Sequence, residues 1–174
     1  MESDCRLGAA PEVVPFDARS GLPVHIRRAV AGDRPALTEM LTRCSDQTRA
    51  RRFHKFVRSF PEPYLTDALA EQAAHFALLA QADNGVVALA SCVTDGPGRA
   101  EFAVLIEDIW QRAGLGTRLM NLLVAHADHN GIGKLTAEVH ASQAWVLPVL
   151  GGYGTCEAWL RRDVFEVTVH RDSP

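Results

Sequence analysis

Between His75 and Val93 two apolar runs, HFALLAQA and VVALASCV, are separated only by Asp83, Asn84 and Gly85. Asn-Gly accepts positive φ at little cost, so the runs return on one another as an antiparallel hairpin. A second turn, DGPG, leads into a further strand, RAEFAVLIE, over 99–107. Three strands in succession at mid-chain rule out the regular strand-helix alternation of a doubly wound dinucleotide fold.

The flanking segments complete the order. VHIRRAV, from Val24, reads as a first strand. Asp33 and Pro35 suit the start of a helix, which runs to about Arg43 with Leu37, Met40 and Leu41 at helical spacing. Ser45 caps a second helix through DQTRARRFHKFV; Pro61 and Pro63 break it, and YLTDALAEQ forms a short third. After the hairpin region comes a helix from Gly114 to Asn130. Leu115, Leu119, Leu122, Leu123 and Ala127 form its apolar stripe, and Asn130-Gly131 ends it. KLTAEVH is a strand. SQAWVLPVL reads as helical, limited or kinked by Pro148. GTCEAWLR and VFEVTVH close the chain as strands; in the last, Phe165, Val167 and Val169 alternate with Glu166 and Thr168, as on a strand with one wet face. The fold class is mixed α/β. Residues 1–23, with Pro11, Pro15 and Pro23, are expected as an irregular N-terminal extension, and 24–171 as a single domain long enough to bury a core.

Composition removes several function classes. A chain that is 47% hydrophobic is not disordered in bulk. A net charge of −3 does not suit an overall nucleic-acid binder, so nucleic acid is not an expected partner. Cys5, Cys44, Cys92 and Cys156 show neither CxxC nor zinc-finger spacing, which predicts reduced, mostly buried thiols. No apolar run approaches the roughly 20 residues of a membrane helix, and the first residues lack a signal-peptide pattern. A cytoplasmic protein with no membrane partner is expected.

The stretch WQRAGLGTRL, Trp110 to Leu119, places two glycines where a helix starts. The first turn of a helix leaves backbone N–H groups unpartnered and carries positive dipole. A phosphate can take those hydrogens if no side chain blocks it, and glycine at 114 and 116 clears the approach and allows unusual φ. GxG before a helix also occurs where backbone packs close to a strand, so both readings stand on these residues alone. There is no GxxxxGK[ST] and no GxGxxG, which sets aside the two common nucleotide loops.

QRAGLG resembles the Gln/Arg-x-x-Gly-x-Gly/Ala acyl-CoA loop of the GNAT superfamily of N-acetyltransferases. The preceding AEFAVLIEDIWQ looks like that family's fourth strand, and the element order matches from Val24 to His170. CSDQTRARRF is similar to the Ser-x-x-Ser/Thr-x-x-x-Arg-Phe run of the bacterial protein-lysine acetyltransferase branch. Glu101 stands ten residues before Gln111, where that branch places its proposed catalytic glutamate.

The resemblance implies a central, twisted, mostly antiparallel sheet of about six or seven strands with helices on both faces. The family's fourth and fifth strands splay to take acyl-CoA. Acetyl-CoA is the implied co-substrate, with no metal. Its pyrophosphate is expected at the N–H groups of Gln111, Arg112, Ala113, Gly114, Leu115 and Gly116, with Thr117. The pantetheine arm is expected along Val104, Leu105 and Ile106, where one N–H near Leu105 or Ile106 meets the thioester oxygen. Relatives carry asparagine where this chain has HASQAWVLP, and Gln143 or Ser142 substitutes. Glu101 is the implied base; a glutamate on the wet face of a half-exposed strand is the plain alternative. Tyr153, in LGGYG, is the nearby tyrosine for a proton donor, although the family also uses an aromatic there for packing.

The implied activity is transfer of an acetyl group from acetyl-CoA to a primary amine, either a protein lysine or a small-molecule amine, by direct attack in a ternary complex. A catalytically weak acyl-CoA sensor or partner-binding module is the alternative, and a homodimer is left open. Arg49, Arg51, Arg52, Lys55 and Arg58 interleave with Phe53, Phe56 and Val57. A solvated face is the first expectation for them, contact with the acceptor or a CoA phosphate the second. His126 and His129 lie near a helix C-terminus, where the dipole favours them without a metal. Trp110 is expected at the cleft edge, and Trp145 and Trp159 in the core.

Overall fold

The turn residues act as their chemistry dictates: Gly85 takes φ 112° between the two hairpin strands, and Gly131 takes φ 67° just past the long helix. The computed structural model describes residues 14–17, 21–70, 72 and 74–171. β1 (Val14–Asp17) and β2 (Pro23–Arg28) precede α1 (Arg34–Arg43), α2 (Asp46–Phe53) and α3 (Glu62–Ala68). Next come β3 (His75–Ala82), β4 (Gly85–Gly96) and β5 (Arg99–Ile106), then α4 (Leu115–His129) and β6 (Lys134–His140). α5 (Val146–Gly151), β7 (Thr155–Arg161) and β8 (Val164–His170) complete the order. Among the described residues one sheet runs β1-β2-β3-β4-β5-β6-β8-β7.

The sheet has eight strands, one more than the upper expectation. The addition is β1, inside the segment expected to be irregular, which pairs with β2 from Val14↔Ile26 to Asp17↔Pro23. Much of the rest of that segment, Cys5 included, lies outside the described residues. Every neighbouring pair is antiparallel except β5 and β6, whose crossover is α4.

Helices cover both faces, and this explains the unbroken apolar runs of β3 and β4, whose side chains are buried alternately in two layers. On one face Phe76, Phe102, Leu115, Leu119 and Leu123 pack around α4. On the other, Leu37, Met40, Leu41, Leu65, Leu79, Leu89 and Leu105 pack under α1 and α3. The stripe of α4 holds Leu115, Leu119, Leu123 and Ala127 with Met120 and Val124, while Leu122 is half-buried at its edge. No helix among the described residues is long and apolar enough to cross a membrane.

Several local expectations shift for identifiable reasons. The Asp33 carboxylate does not cap α1. It accepts from the backbone N–H of Val30 at 2.9 Å and from Arg27 at 2.6 and 2.8 Å, closing the preceding turn. α2 ends at Phe53 because His54 adopts left-handed φ 54°, so Val57 reaches the core while Phe56 stays in solvent. α3 starts earlier than expected, at Glu62, since Pro63 falls in its first turn and gives up no hydrogen bond there. Pro148 is accommodated in α5 for the same reason. Trp110 is buried, but Trp145 and Trp159 are 59% and 71% exposed, not core residues.

Candidate active site

β5 and β6 pair at only three positions: Arg99↔Lys134, Ala100↔Leu135 and Glu101↔Thr136. Beyond Glu101, β5 stays with β4 as far as Ile106, and β6 stays with β8 as far as His140. The sheet therefore opens into a seam, and a cleft of about 560 Å³ occupies it.

The backbone polarity of that seam follows from the ladder. Glu107 N–H donates to the Val87 carbonyl at 2.9 Å. Antiparallel strands alternate bonded and non-bonded pairs, so Leu105 is directed to β4 while Val104 and Ile106 turn their backbone groups into the seam. The expectation of a donor near Leu105 or Ile106 thus resolves to Ile106.

The loop ahead of α4 closes one end. Arg112 takes φ 59° and Gly114 φ 88°. None of the N–H groups of Arg112, Ala113 and Gly114 has an acceptor among the described residues, and the first intrahelical donor is Arg118 N–H to the Gly114 carbonyl at 3.1 Å. Leu115, Gly116 and Thr117 supply the free N–H groups of the first turn. Such a run of unpartnered N–H groups is a concavity suited to an anion. Gly116 owes its identity to space rather than to φ: a Cβ there would stand 3.4 Å from Ile106 Cδ1.

α2 crosses the other side of the seam. Asp108 accepts from Ser45 N–H at 2.8 Å, Ser45 Oγ at 2.6 Å and Thr48 Oγ1 at 2.8 Å. Gln111 Nε2 donates to Thr48 Oγ1 at 3.1 Å and to the Ile106 carbonyl at 3.0 Å. Partial burial opposes ionisation of Asp108, but the donors from Ser45 and Thr48 outweigh it and hold the carboxyl below its ordinary range. These bonds explain why Ser45 and Thr48 recur at that spacing in CSDQTRARRF: they bind the start of α2 to the end of β5.

Ten expected site residues line this one cleft: Glu101, Val104, Leu105, Ile106, Gln111, Arg112, Gly114, Gly116, Thr117 and Gln143. Ala113 and Leu115 are buried in the core, leaving only their backbone available. Tyr153 is not among the cleft residues. Its hydroxyl donates to Asn121 Oδ1 on α4 at 2.7 Å, which corrects the expectation of a proton donor there. Sequence reasoning missed Thr48, Glu138 and Trp145 as lining residues, and it favoured solvent for Arg51 and Arg52, which also line the cleft. Their signal was present in the serine-threonine-arginine run, but only the crossing of α2 over the seam turns it into a site. Burial pushes the Cys44 and Cys92 thiols up to about 11, leaving them protonated at neutral pH.

Comparisons with known proteins agree with this geometry. The family model described as "Acetyltransferase (GNAT) family" matches residues 36–149. Acetyltransferase Pat of Mycolicibacterium smegmatis is 29% identical over 175 residues, covering 97% of this chain and 51% of that protein. The ribosomal protein bS18-alanine N-acetyltransferase of Escherichia coli is 31% identical over 71 residues, 41% of this chain and 48% of that protein. The chain thus spans about half the length of these relatives. In fold it is similar to the GNAT domain of S. lividans PAT, with a TM-score of 0.81 at 19% identity, covering 93% of this chain and 99% of that one.

Proposed function

This chain belongs to the acetyltransferase (GNAT) family, and from that premise we propose that it transfers an acetyl group from acetyl-CoA to a primary amine within a ternary complex. One observation carries the reading: the unpartnered N–H groups from Arg112 to Thr117 open onto the same cleft as the free backbone edge of β5.

Acetyl-CoA supplies an activated thioester carbonyl. The loop N–H groups bind its diphosphate, and Val104 and Ile106 receive the pantetheine arm along their free edge, with Gln143 opposite. Ile106 N–H is the donor for the thioester oxygen, a preset contact of a kind worth about 2.7–4 kcal/mol. An amine with pKa about 10.4 is protonated near neutral pH, and Glu101, in the cleft where the strands part, takes that proton directly or through water. A thiol with pKa near 8.5 leaves readily as thiolate, so the reaction needs no dedicated acid and Tyr153 is given none of the chemistry. Direct transfer is preferred to a cysteine relay because Cys92 is buried in β4 with its thiol raised to about 11.

A protein lysine is the leading acceptor, by similarity to Pat over 97% of this chain, and a small-molecule amine is second. A non-catalytic acyl-CoA sensor keeps one observation in its favour, the engagement of Tyr153 with Asn121. Incubation with acetyl-CoA and a panel of amines and lysine peptides, with release of free thiol followed, decides between them. Acceptor-dependent release supports the enzyme; stabilisation by acetyl-CoA with no release for any acceptor supports the sensor.

A further inference from the structure

α2 spans the seam. Its start is bound to Asp108 at the end of β5, and just past its end His54 lies 3.4 Å from Glu138 on β6. Arg51 and Arg52, between these anchor points, line the cleft. The Arg52 guanidinium stacks over the Tyr64 ring at 4.5 Å and the Phe53 ring at 5.0 Å, a shelf that fixes its direction.

Both arginines lack a counter-ion. The Nε of each is sealed from solvent and has no hydrogen-bond acceptor among the described residues. Neither stands within 4.0 Å of a carboxylate there, whereas Arg27, Arg34, Arg43 and Arg49 are matched to Asp33, Glu62, Glu107 and Asp46. Buried donors without acceptors are uncommon. Two adjacent guanidiniums in that state, facing a cleft, point to an anion that arrives with a ligand.

The diphosphate of acetyl-CoA is not that anion. Its expected loop opens α4, which packs with Phe102 on one face of the sheet. Phe53 and Tyr64, which flank Arg52, pack with Leu105 on the opposite face. On that opposite face Glu101 borders both the main cleft and a smaller depression of about 120 Å³ with Tyr64, Asp67 and Ser91. The acceptor side therefore offers carboxylates for an ammonium and a guanidinium pair for an anion. Glu138, the other carboxylate in the cleft, lies beside His54.

We propose that the acceptor is an amine with a carboxylate close to its amino group, the amine facing Glu101 and the carboxylate received by Arg51 and Arg52. The inference rests on the acetyl-transfer reading. The planar fork of arginine matches a carboxylate in two parallel hydrogen bonds, which an ammonium cannot do. The carboxylate belongs either to a free amino acid or to an acidic residue beside a lysine in a peptide.

The test gives the full chain and acetyl-CoA two matched pairs: an amino acid against its amide, and a lysine peptide flanked by aspartate against the same peptide flanked by asparagine. The pair that discriminates identifies the source. The expected result is a preference in kcat/KM of about tenfold or more for the acid member, declining with salt. Arg51→Gln and Arg52→Gln each drive that ratio towards one. Equal kcat/KM within both pairs, or a ratio untouched by both variants, overturns the inference. Absence of thiol release with every acceptor overturns acetyl transfer instead. Calorimetry on the CoA-loaded protein then judges the arginines by themselves: tighter binding of the acid than of its amide, lost in Arg51→Gln, upholds the inference, and equal binding ends it.

Discussion

The side-chain amide of Gln111 donates to the carbonyl oxygen of Ile106 at 3.0 Å, folding the loop ahead of α4 back onto the last residue of β5. The same nitrogen holds Thr48 on α2 at 3.1 Å. Loop, strand edge and crossing helix thus share one amide. Gln111→Leu keeps the volume and removes the donors. Its affinity for acetyl-CoA is expected to fall about tenfold, and its Tm by about 2–4 °C for roughly 1 kcal/mol lost. Calorimetry and a thermal scan read the two effects, and unchanged affinity would detach Gln111 from the binding loop.

Gly114 and Gly116 separate backbone strain from steric access. Gly114 sits at φ 88°, so Gly114→Ala costs about 1–2 kcal/mol of stability. Gly116→Ala places its Cβ 3.4 Å from Ile106 Cδ1, a contact the end of that side chain can relieve. Its stability is expected to change by less than about 0.5 kcal/mol. Both methyl groups crowd the N–H groups, so acetyl-CoA binds more weakly to each variant. A Tm loss in the first alone, with an affinity loss in both, is the expected pattern.

Glu101→Gln is expected to keep acetyl-CoA affinity and lower turnover at neutral pH by about 100-fold, the lower range for loss of a general base. The deficit shrinks as pH rises toward the pKa of the amine, about 10.4, because the acceptor then deprotonates unaided. Tyr153→Phe, which loses only the bond to Asn121, leaves turnover within about twofold and costs about 1 kcal/mol. Wild-type turnover in Glu101→Gln would remove Glu101 from the mechanism, and a large loss in Tyr153→Phe would restore the tyrosine to it.

His126 stacks on Phe76 with ring centroids 3.7 Å apart. Burial, helped by the charges of Arg28 and His129, lowers its pKa from 6.5 to about 4. Between those values the unfolded chain binds a proton that the folded one does not. Stability is therefore full above pH 6.5 and declines as pH falls toward 4. His126→Gln is expected to flatten the dependence of Tm on pH across that interval. An unaltered slope would assign the acid sensitivity to other groups.

Much of the fold was legible because its signals are local. Asn84-Gly85 can only turn, Ser45 accepts from Thr48 N–H at 3.1 Å as a cap should, and Gly114 starts α4 one residue from the expected position. The cleft residues of β5 and of the loop were legible for the same reason, since a strand, two glycines and a helix stand consecutively. The strand at Val14–Asp17 was not, because its four residues gain their order from pairing with β2. The directions of Tyr153 and Trp145 were not legible either: a partner on α4 and the rim of the cleft decide them.

The amino-acid order alone determined the elements, the hairpin and the N–H-rich start of α4, because these depend on contacts within a few residues, where turn chemistry and hydrophobic period act. Tertiary structure alone decided that the sheet opens after Glu101↔Thr136, that Ile106 rather than Leu105 faces the gap, and that Arg51 and Arg52 stand over it without a counter-ion. Each of these depends on strands and helices distant along the chain meeting at one seam. Local propensity carries no information about which partner a strand edge will lack.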